Sequence, residues 1–179
     1  MMQLRVLVPV LVAALNTSAS ALQPTTPDPL LTLAPFIGKW SGTSEGQPGK
    51  GVVEREYRRE LRGRIIELTN RVVYAPQPAN LKGETHEDRG TFSFDRAAKT
   101  IRFRQFHVEG FVVHYVLEPG TKDATVVFAS DAIENIPSGY RSRETYVILG
   151  PDEFEEIFEL AEPGKDFAVY SRARLKRVK

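Results

Sequence analysis

The feature that most constrains the fold is a regular succession of turn motifs between short β-type runs. Runs at 39–45, 52–61, 64–74, 84–94, 100–109, 111–118, 125–131, 141–149, 153–160 and 167–176 are separated by segments such as Gln47-Pro48-Gly49, Pro119-Gly120 and Pro163-Gly164. Such clusters of Gly, Pro and short polar residues are typical of turns. No window of twelve residues carries the 3.6-residue apolar period of a helix.

Ten strands with short connections in one small domain predict an all-β fold. Closing the sheet into a barrel removes the exposed edge strands that otherwise invite aggregation. We therefore expect a single closed up-and-down antiparallel β-barrel of about ten strands. An open β-sandwich is the alternative.

The composition excludes several classes of protein. The 179 residues include no cysteine, which excludes disulfides, Cys-ligated metal centres and a thiol nucleophile. The 24 Lys and Arg nearly balance the 23 Asp and Glu. Because nucleic-acid binding usually requires a strongly basic surface, we expect no nucleic-acid partner.

The amino terminus has the pattern of a secretory signal peptide. Arg5 precedes an apolar run of about ten residues, and the segment ends in Ala19-Ser20-Ala21. The run is shorter than the ~20 apolar residues of a membrane-spanning helix. We predict a signal peptide at 1–21, a linker at 22–32 and a barrel domain at 33–179. The mature protein would be secreted or periplasmic, without membrane insertion after signal cleavage.

The cross-strand pairs of the first long hairpin predict which of its residues face inward. If Arg62-Gly63 is a two-residue turn, residues whose numbers sum to 125 are opposite one another. Glu54 opposite Arg71 and Arg58 opposite Glu67 are charge pairs that belong in solvent. The other face must then be the interior, and it carries Arg55 opposite Asn70 and Arg59 opposite Ile66.

The middle hairpin places polar residues from three cross-strand pairs inside the barrel. If Phe92 is opposite Phe103 as an apolar inner pair, the same register puts Gly90 opposite Gln105 and Asp88 opposite His107. It also puts His86 opposite Glu109. A tight turn at Glu109-Gly110 would add His114 opposite Gln105, so that all three histidines of the chain would point inward.

The last hairpin adds one more inward carboxylate. A turn at Pro163-Gly164 pairs Leu160 with Phe167 and Phe158 with Val169, and it places Glu156 inside, near Ser171. Buried charges are costly unless they are paired, so a polar interior suggests a solvated cavity with recognition groups. The alternative is that these residues lie at a hydrated rim. The candidate ligand-binding residues are Arg55, Arg59, Asn70, Gln105, His107, Glu109 and Glu156.

Three functions are compatible with this interior. The first is binding of a small, partly apolar ligand with an anionic or hydrogen-bonding head, with the arginines attracting an anion. The second is an isomerase, cyclase or hydrolase in which Asp88 orients His107 as a general base. The third is a structural protein with a filled barrel. His86, His107, Asp88 and Glu109 could also ligate a metal, although alternating strand positions often produce such spacing by chance. We expect a ligand-binding protein without metal or cofactor, and leave its oligomeric state open.

The segment Phe36-Ile37-Gly38-Lys39-Trp40-Ser41-Gly42 resembles the Gly-x-Trp opening strand of the lipocalin and fatty-acid-binding (calycin) superfamily, and of nitrobindin-like bacterial barrels. This resemblance implies a closed barrel with a ligand cavity. It also implies that an arginine on the last strand, here Arg177, packs on Trp40 through a cation–π contact. Nitrobindins bind heme through a histidine on a late strand. Since residues 167–179 contain no histidine, we expect no tight heme binding.

Overall fold

The computed structural model describes residues 27–119 and 124–179, so the predicted signal peptide lies outside the described residues. A short 3-10 helix, η1 (Leu31–Phe36), precedes ten strands. The strands are β1 (Gly38–Gly46), β2 (Gly49–Glu60), β3 (Ile65–Tyr74), β4 (Glu84–Asp95), β5 (Thr100–His107), β6 (Val112–Leu117), β7 (Thr125–Glu134), β8 (Arg141–Gly150), β9 (Glu153–Ala161) and β10 (Ala168–Arg177).

The ten strands form one closed antiparallel barrel. Each strand pairs with the next along the chain, and β10 returns to pair with β1, so that every strand has two hydrogen-bonded neighbours. Buried and exposed residues alternate along β2 and β3, as expected where one face is interior and the other meets solvent. The predicted fold class is confirmed.

The registers predicted for two hairpins are present in the structure. Arg55 is opposite Asn70 between β2 and β3, and Asp88 is opposite His107 between β4 and β5. The loop between β2 and β3 has four residues, 61–64, rather than the predicted two. A four-residue loop centred on the same two residues preserves the pairing, because both loops give partner numbers that sum to 125.

The register predicted between β5 and β6 is wrong. Five residues lie between the pair Phe106 and Val112, and the backbone N–H of His107 donates to the carbonyl of Phe111. An odd number of loop residues shifts the register by one relative to the predicted two-residue turn. His114 is therefore opposite Arg104 and lies outside the barrel, where its Nε2 contacts a carboxylate oxygen of Glu134 at 2.6 Å.

The register predicted between β9 and β10 is also wrong. At the turn, Leu160 is opposite Ala168 instead of Phe167, a shift of one residue. A β-bulge between Val169 and Ser171 adds a second residue, so Phe158 is opposite Ser171 instead of Val169. The inward direction of Glu156 survives this change, and its partner on β10 is Ala173.

One end of the barrel is closed by η1. Leu30, Leu33 and Phe36 are buried there, although Leu30 falls within the predicted linker. The ring of Phe36 packs edge-on against Phe154, with 5.1 Å between the ring centroids. The packed unit therefore includes residues before the predicted boundary at 33.

Trp40 and Arg177 connect η1 to the barrel. The indole Nε1 of Trp40 donates to the carbonyl of Phe36 at 2.6 Å, and the guanidinium of Arg177 lies 4.2 Å from the ring centroid of Trp40. Arg177 also donates to the backbone carbonyls of Ile37 and Pro35. The expected contact between Trp40 and Arg177 is thus present in the structure.

Aromatic side chains fill the half of the barrel next to η1. Phe92 and Phe103 stack with ring centroids 4.0 Å apart, and Phe128 packs against both rings. Tyr115 stacks on the other side of Phe103. A cavity lined by described residues lies beyond this packing, towards the opposite end. Among the described residues, no helix has the length and apolar character needed to cross a membrane.

Candidate ligand site

A cavity of about 440 Å³ occupies the end of the barrel opposite η1. Its volume falls within the ~300–1,000 Å³ range of small-molecule sites. Its wall is mainly apolar, with polar side chains contributed by several strands. The apolar wall includes Val72, Phe111, Val113, Ile133, Ile136 and Leu160, and the polar wall includes Arg55, Asn70, His86, Asp88, Gln105, His107, Glu144 and Glu156.

Arg55 and Glu156 form an ion pair in the cavity wall. Two nitrogens of Arg55 each donate to one carboxylate oxygen of Glu156 at 2.7 Å, and Nε of Arg55 donates to Oδ1 of Asn70 at 2.9 Å. Burial alone would lower the pKa of Arg55, but the carboxylate of Glu156 raises it overall. The charge of Arg55 is therefore neutralised within the protein.

Asp88 is the centre of a second hydrogen-bond network. Its carboxylate accepts from Nδ2 of Asn70 at 2.7 Å and from Nε2 of Gln105 at 2.9 Å. Burial would raise the pKa of Asp88, but hydrogen bonding from His86 and the charge of Arg55 lower it. Asp88 is therefore ionised, and its side chain is held in place from several directions.

The two inward histidines have opposite environments. Nδ1 of His86 contacts Oε1 of Glu109 at 2.8 Å, and its Nε2 lies 3.5 Å from Oδ2 of Asp88. The hydrogen bond to Asp88 and that to Glu109 raise the pKa of His86 to about 9, against the effect of burial. Burial lowers the pKa of His107 to about 4, so that imidazole is neutral near pH 7.

Both ring nitrogens of His107 are buried and have no hydrogen-bond partner among the residues that the structure describes. The ring stacks on Phe111, with 4.1 Å between centroids. Oε1 of Gln105 also has no hydrogen-bond partner among the described residues, although Nε2 of Gln105 donates to Asp88. Asp88 and His107 are register partners, but the hydrogen bonds of Asp88 go to other residues.

Glu144 also lines this cavity, although it is not among the residues predicted from the hairpin registers. It is only 3% exposed, and the hydroxyl of Tyr146 donates to its carboxylate. Burial, reinforced by the nearby charge of Glu156, raises the pKa of Glu144 to about 8. Alternation along β8 could have revealed it, because Ser142, Glu144 and Tyr146 all point inward.

The structure brings six of the seven predicted ligand-binding residues to the cavity. Arg55, Asn70, Gln105, His107 and Glu156 line it, and Glu109 lies at its mouth with an exposed side chain. The residue that does not reach the cavity is Arg59.

The predicted position of Arg59 in the cavity is corrected by the structure. Arg59 lies near the end of β2, and its guanidinium pairs with Asp28 in the segment before η1. The alternation of inward and outward residues along β2 correctly places Arg59 on the inner face. It does not indicate how far along the barrel axis the residue lies. The side chain is 31% exposed and reaches the closed end instead of the cavity.

The described residues form a closed, ten-strand antiparallel β-barrel with an internal cavity towards one end. The sequence matches no family model and no curated protein. Sixteen chains of solved structures match. Rv2717c from M. tuberculosis superposes with a TM-score of 0.63 and 18% sequence identity over 86% of this chain and 99% of that one.

A de novo designed fluorescence-activating β-barrel matches with a TM-score of 0.38 and 16% identity over 80% of this chain and 94% of that one. At these identities, the similarity to Rv2717c shows the barrel fold alone. The chemistry of the site must therefore be derived from the residues of this chain.

Proposed function

We propose that this protein binds a small, partly apolar molecule with a hydrogen-bonding head group inside the barrel. The observation that carries the proposal is the set of unpartnered polar atoms in the described cavity wall: Oε1 of Gln105 and both ring nitrogens of His107. An unsatisfied buried polar atom costs about 1–3 kcal/mol, so native proteins rarely retain one without a role. A bound ligand would satisfy these atoms.

The two side chains suggest the chemistry of the head group. Gln105 offers an acceptor oxygen, and a neutral imidazole such as that of His107 offers one donor and one acceptor. A hydroxyl, an amide or an un-ionised acid would complement them. The apolar wall, which includes Val113 and Ile133, would hold the rest of the molecule.

An anionic head group, the other expectation from the sequence, has less support. Arg55 is already bound by Glu156 through two hydrogen bonds. The carboxylate of Asp88 lies in the same wall and would repel an anion. The charges of the cavity therefore favour a neutral ligand.

An enzymatic role has less support than binding. The predicted general base, His107, needs Asp88 to fix its tautomer, but Asp88 bonds instead to Asn70 and Gln105. From the pattern of residues 1–21 alone, we also propose that the protein is secreted or periplasmic and binds its ligand there.

Native mass spectrometry of the protein purified from its own compartment tests this proposal. We expect a discrete mass above that of the polypeptide, and release of an unchanged molecule on denaturation. The variant His107→Phe keeps a ring that can stack on Phe111 but loses both unpartnered nitrogens. It should therefore retain less of this molecule, while the ligand-free variant is at least as stable as the ligand-free wild type. Equal retention by His107→Phe, or release of a converted product, would overturn the proposal.

A further inference from the structure

At the mouth of the cavity, two histidines and a glutamate converge from two strands and a turn. One ligand atom from each of His86, His107 and Glu109 can be chosen such that all three lie within 4.8 Å of one another. His86 is on β4, His107 ends β5, and Glu109 lies in the turn before β6. We call this group the histidine cluster.

We propose that the histidine cluster is a binding site for a divalent transition-metal ion of the Zn²⁺ type. Its ligands would be an imidazole nitrogen from each histidine and a carboxylate oxygen of Glu109. This inference goes beyond the proposed ligand binding, since the metal would be held by protein side chains at the cavity mouth.

The spacing of the cluster is compatible with a metal ion after small side-chain movements. Zn²⁺ binds imidazole nitrogen and carboxylate oxygen at about 2.0–2.2 Å, which places ligand atoms of a tetrahedral site roughly 3.4 Å apart. Nδ1 of His86 and Oε1 of Glu109 are hydrogen-bond partners 2.8 Å apart, so a metal ion would replace the proton between them and widen this distance by about 0.6 Å. Since the three ligand atoms lie within 4.8 Å of one another, His107 would have to approach the other two by at most about 1.4 Å. Glu109 can follow, because its side chain is 48% exposed in a turn.

The ring of His107 is free to act as a ligand. Neither nitrogen has a hydrogen-bond partner among the residues that the structure describes, so coordination would break no protein hydrogen bond. The stacking contact with Phe111 holds the ring without using either nitrogen. A bound cation would therefore supply an interaction partner to a ring nitrogen that has none among the described residues.

Asp88 supplies the outer hydrogen bond that metal-binding histidines usually have. When Nδ1 of His86 binds the metal, its Nε2–H faces Oδ2 of Asp88, now 3.5 Å away. Such a carboxylate–histidine–metal arrangement fixes the ring and strengthens the ligand. Asn70 and Gln105 hold Asp88 in position by hydrogen bonds of 2.7 and 2.9 Å.

The composition of the cluster indicates the class of metal. Imidazole suits Zn²⁺, Cu²⁺ and Ni²⁺, whereas Mg²⁺ and Ca²⁺ prefer sites made only of oxygen. Three protein ligands leave one tetrahedral position unfilled, as in zinc sites that bind water or a ligand. Here, that position would face the cavity, since His86, His107 and Glu109 all line it.

The histidine and cysteine content of the chain makes the site easy to test. The chain has three histidines and no cysteine, so an imidazole signal can be assigned and thiolate binding does not interfere. The protein is prepared without a polyhistidine tag, stripped with a chelator and titrated with Zn²⁺ alone by calorimetry. Co²⁺ is used in parallel, because its visible absorption bands report a site of low symmetry.

We expect one Zn²⁺ per chain, and at least tenfold weaker binding in His86→Phe, His107→Phe and Glu109→Gln. Asp88→Asn should weaken binding by about 10–100-fold, the usual effect of an outer hydrogen-bond partner. The matched control is His114→Ala, which removes an imidazole that also contacts a glutamate but lies on the outer face. That variant should bind as the wild type does.

Imidazole ¹⁵N spectra provide the second readout, in which Zn²⁺ should shift the resonances of His86 and His107 while those of His114 stay in place. The proposal is overturned if no stoichiometric binding occurs, if His114→Ala removes it, or if the cluster variants bind as tightly as the wild type.

Discussion

The guanidinium of Arg55 forms a bidentate ion pair with the carboxylate of Glu156, with both N–O distances at 2.7 Å. The two residues are 101 positions apart in the chain. The pair joins β2 to β9 inside the barrel, and both residues are at least nine-tenths buried. Removing Arg55 would leave the carboxylate of Glu156 without its charged partner. The pair is therefore a structural part of the cavity wall rather than an unoccupied anion site.

Replacing Arg55 alone should be strongly destabilising. Arg55→Met leaves the carboxylate of Glu156 buried without its partner, which typically costs about 3–5 kcal/mol. The double variant Arg55→Met/Glu156→Leu removes both charges and should recover most of that loss. Urea denaturation of both variants measures the difference. Equal destabilisation of the two would show that the pair contributes to stability in a way that an apolar contact does not replace.

Glu144 should make the protein less stable as the pH rises. The pKa of Glu144 in the folded protein, about 8, lies above its ordinary value of 4.5. The contribution of protonated Glu144 to the stability of the fold is therefore complete below the pKa of the unfolded chain. It is lost as the pH rises towards and through the folded value. Glu144→Gln cannot ionise, so its stability relative to the wild type should increase between about pH 5 and pH 9. Denaturation series with parallel pH dependences for the two proteins would contradict this assignment.

Arg177 should stabilise the closed end without affecting the cavity. Arg177→Lys keeps the charge but loses the planar group that lies over Trp40 and donates to two carbonyls, so we expect a loss of about 1–2 kcal/mol. The fluorescence of Trp40, the single tryptophan of the chain, follows unfolding directly. The control is Arg174→Lys, which changes an exposed arginine on the same strand. Comparable losses in both variants would remove the special role of Arg177.

Arg59 should matter little for either stability or ligand binding. It pairs with Asp28, and both side chains are about one-third exposed, so Arg59→Met should cost about 0–1 kcal/mol. Because Arg59 points to the closed end, probe binding in the cavity should be unchanged. A variant that folds normally but no longer binds a cavity probe would restore Arg59 to the site.

The fold was predictable because the turn motifs that delimit the strands are local in the sequence, and closure follows from the need to avoid exposed edge strands. The turns between 45 and 165 delimit the ten strands, and apolar pairs such as Phe92 and Phe103 identify the inner face. The inward and outward directions of residues in a hairpin were predictable only where the assumed and the observed loop lengths differ by an even number of residues. The five-residue loop before β6 placed His114 outside, and the bulge at Val169 shifted β10.

The partners of the site residues could not be predicted from strand parity. Parity places Asp88 opposite His107, but side-chain direction decides that Asp88 bonds to Asn70 and Gln105 instead. The bond between Arg55 and Glu156 crosses the barrel between strands that are not neighbours, so no hairpin rule could reveal it. Arg59 shows the same limit, because its depth in the barrel depends on where η1 packs.

If the barrel binds a small molecule in its open cavity, it should also bind the neutral fluorescent probe N-phenyl-naphthylamine. The probe is titrated into the wild type, Ala173→Phe and Val169→Phe. Ala173 lines the cavity, so the added ring should occupy the ligand volume, whereas Val169 on the same strand lies at the surface. We predict saturable binding of one probe by the wild type and by Val169→Phe, and its loss in a folded Ala173→Phe. Absence of saturable binding, or equal binding by all three proteins, would contradict the account.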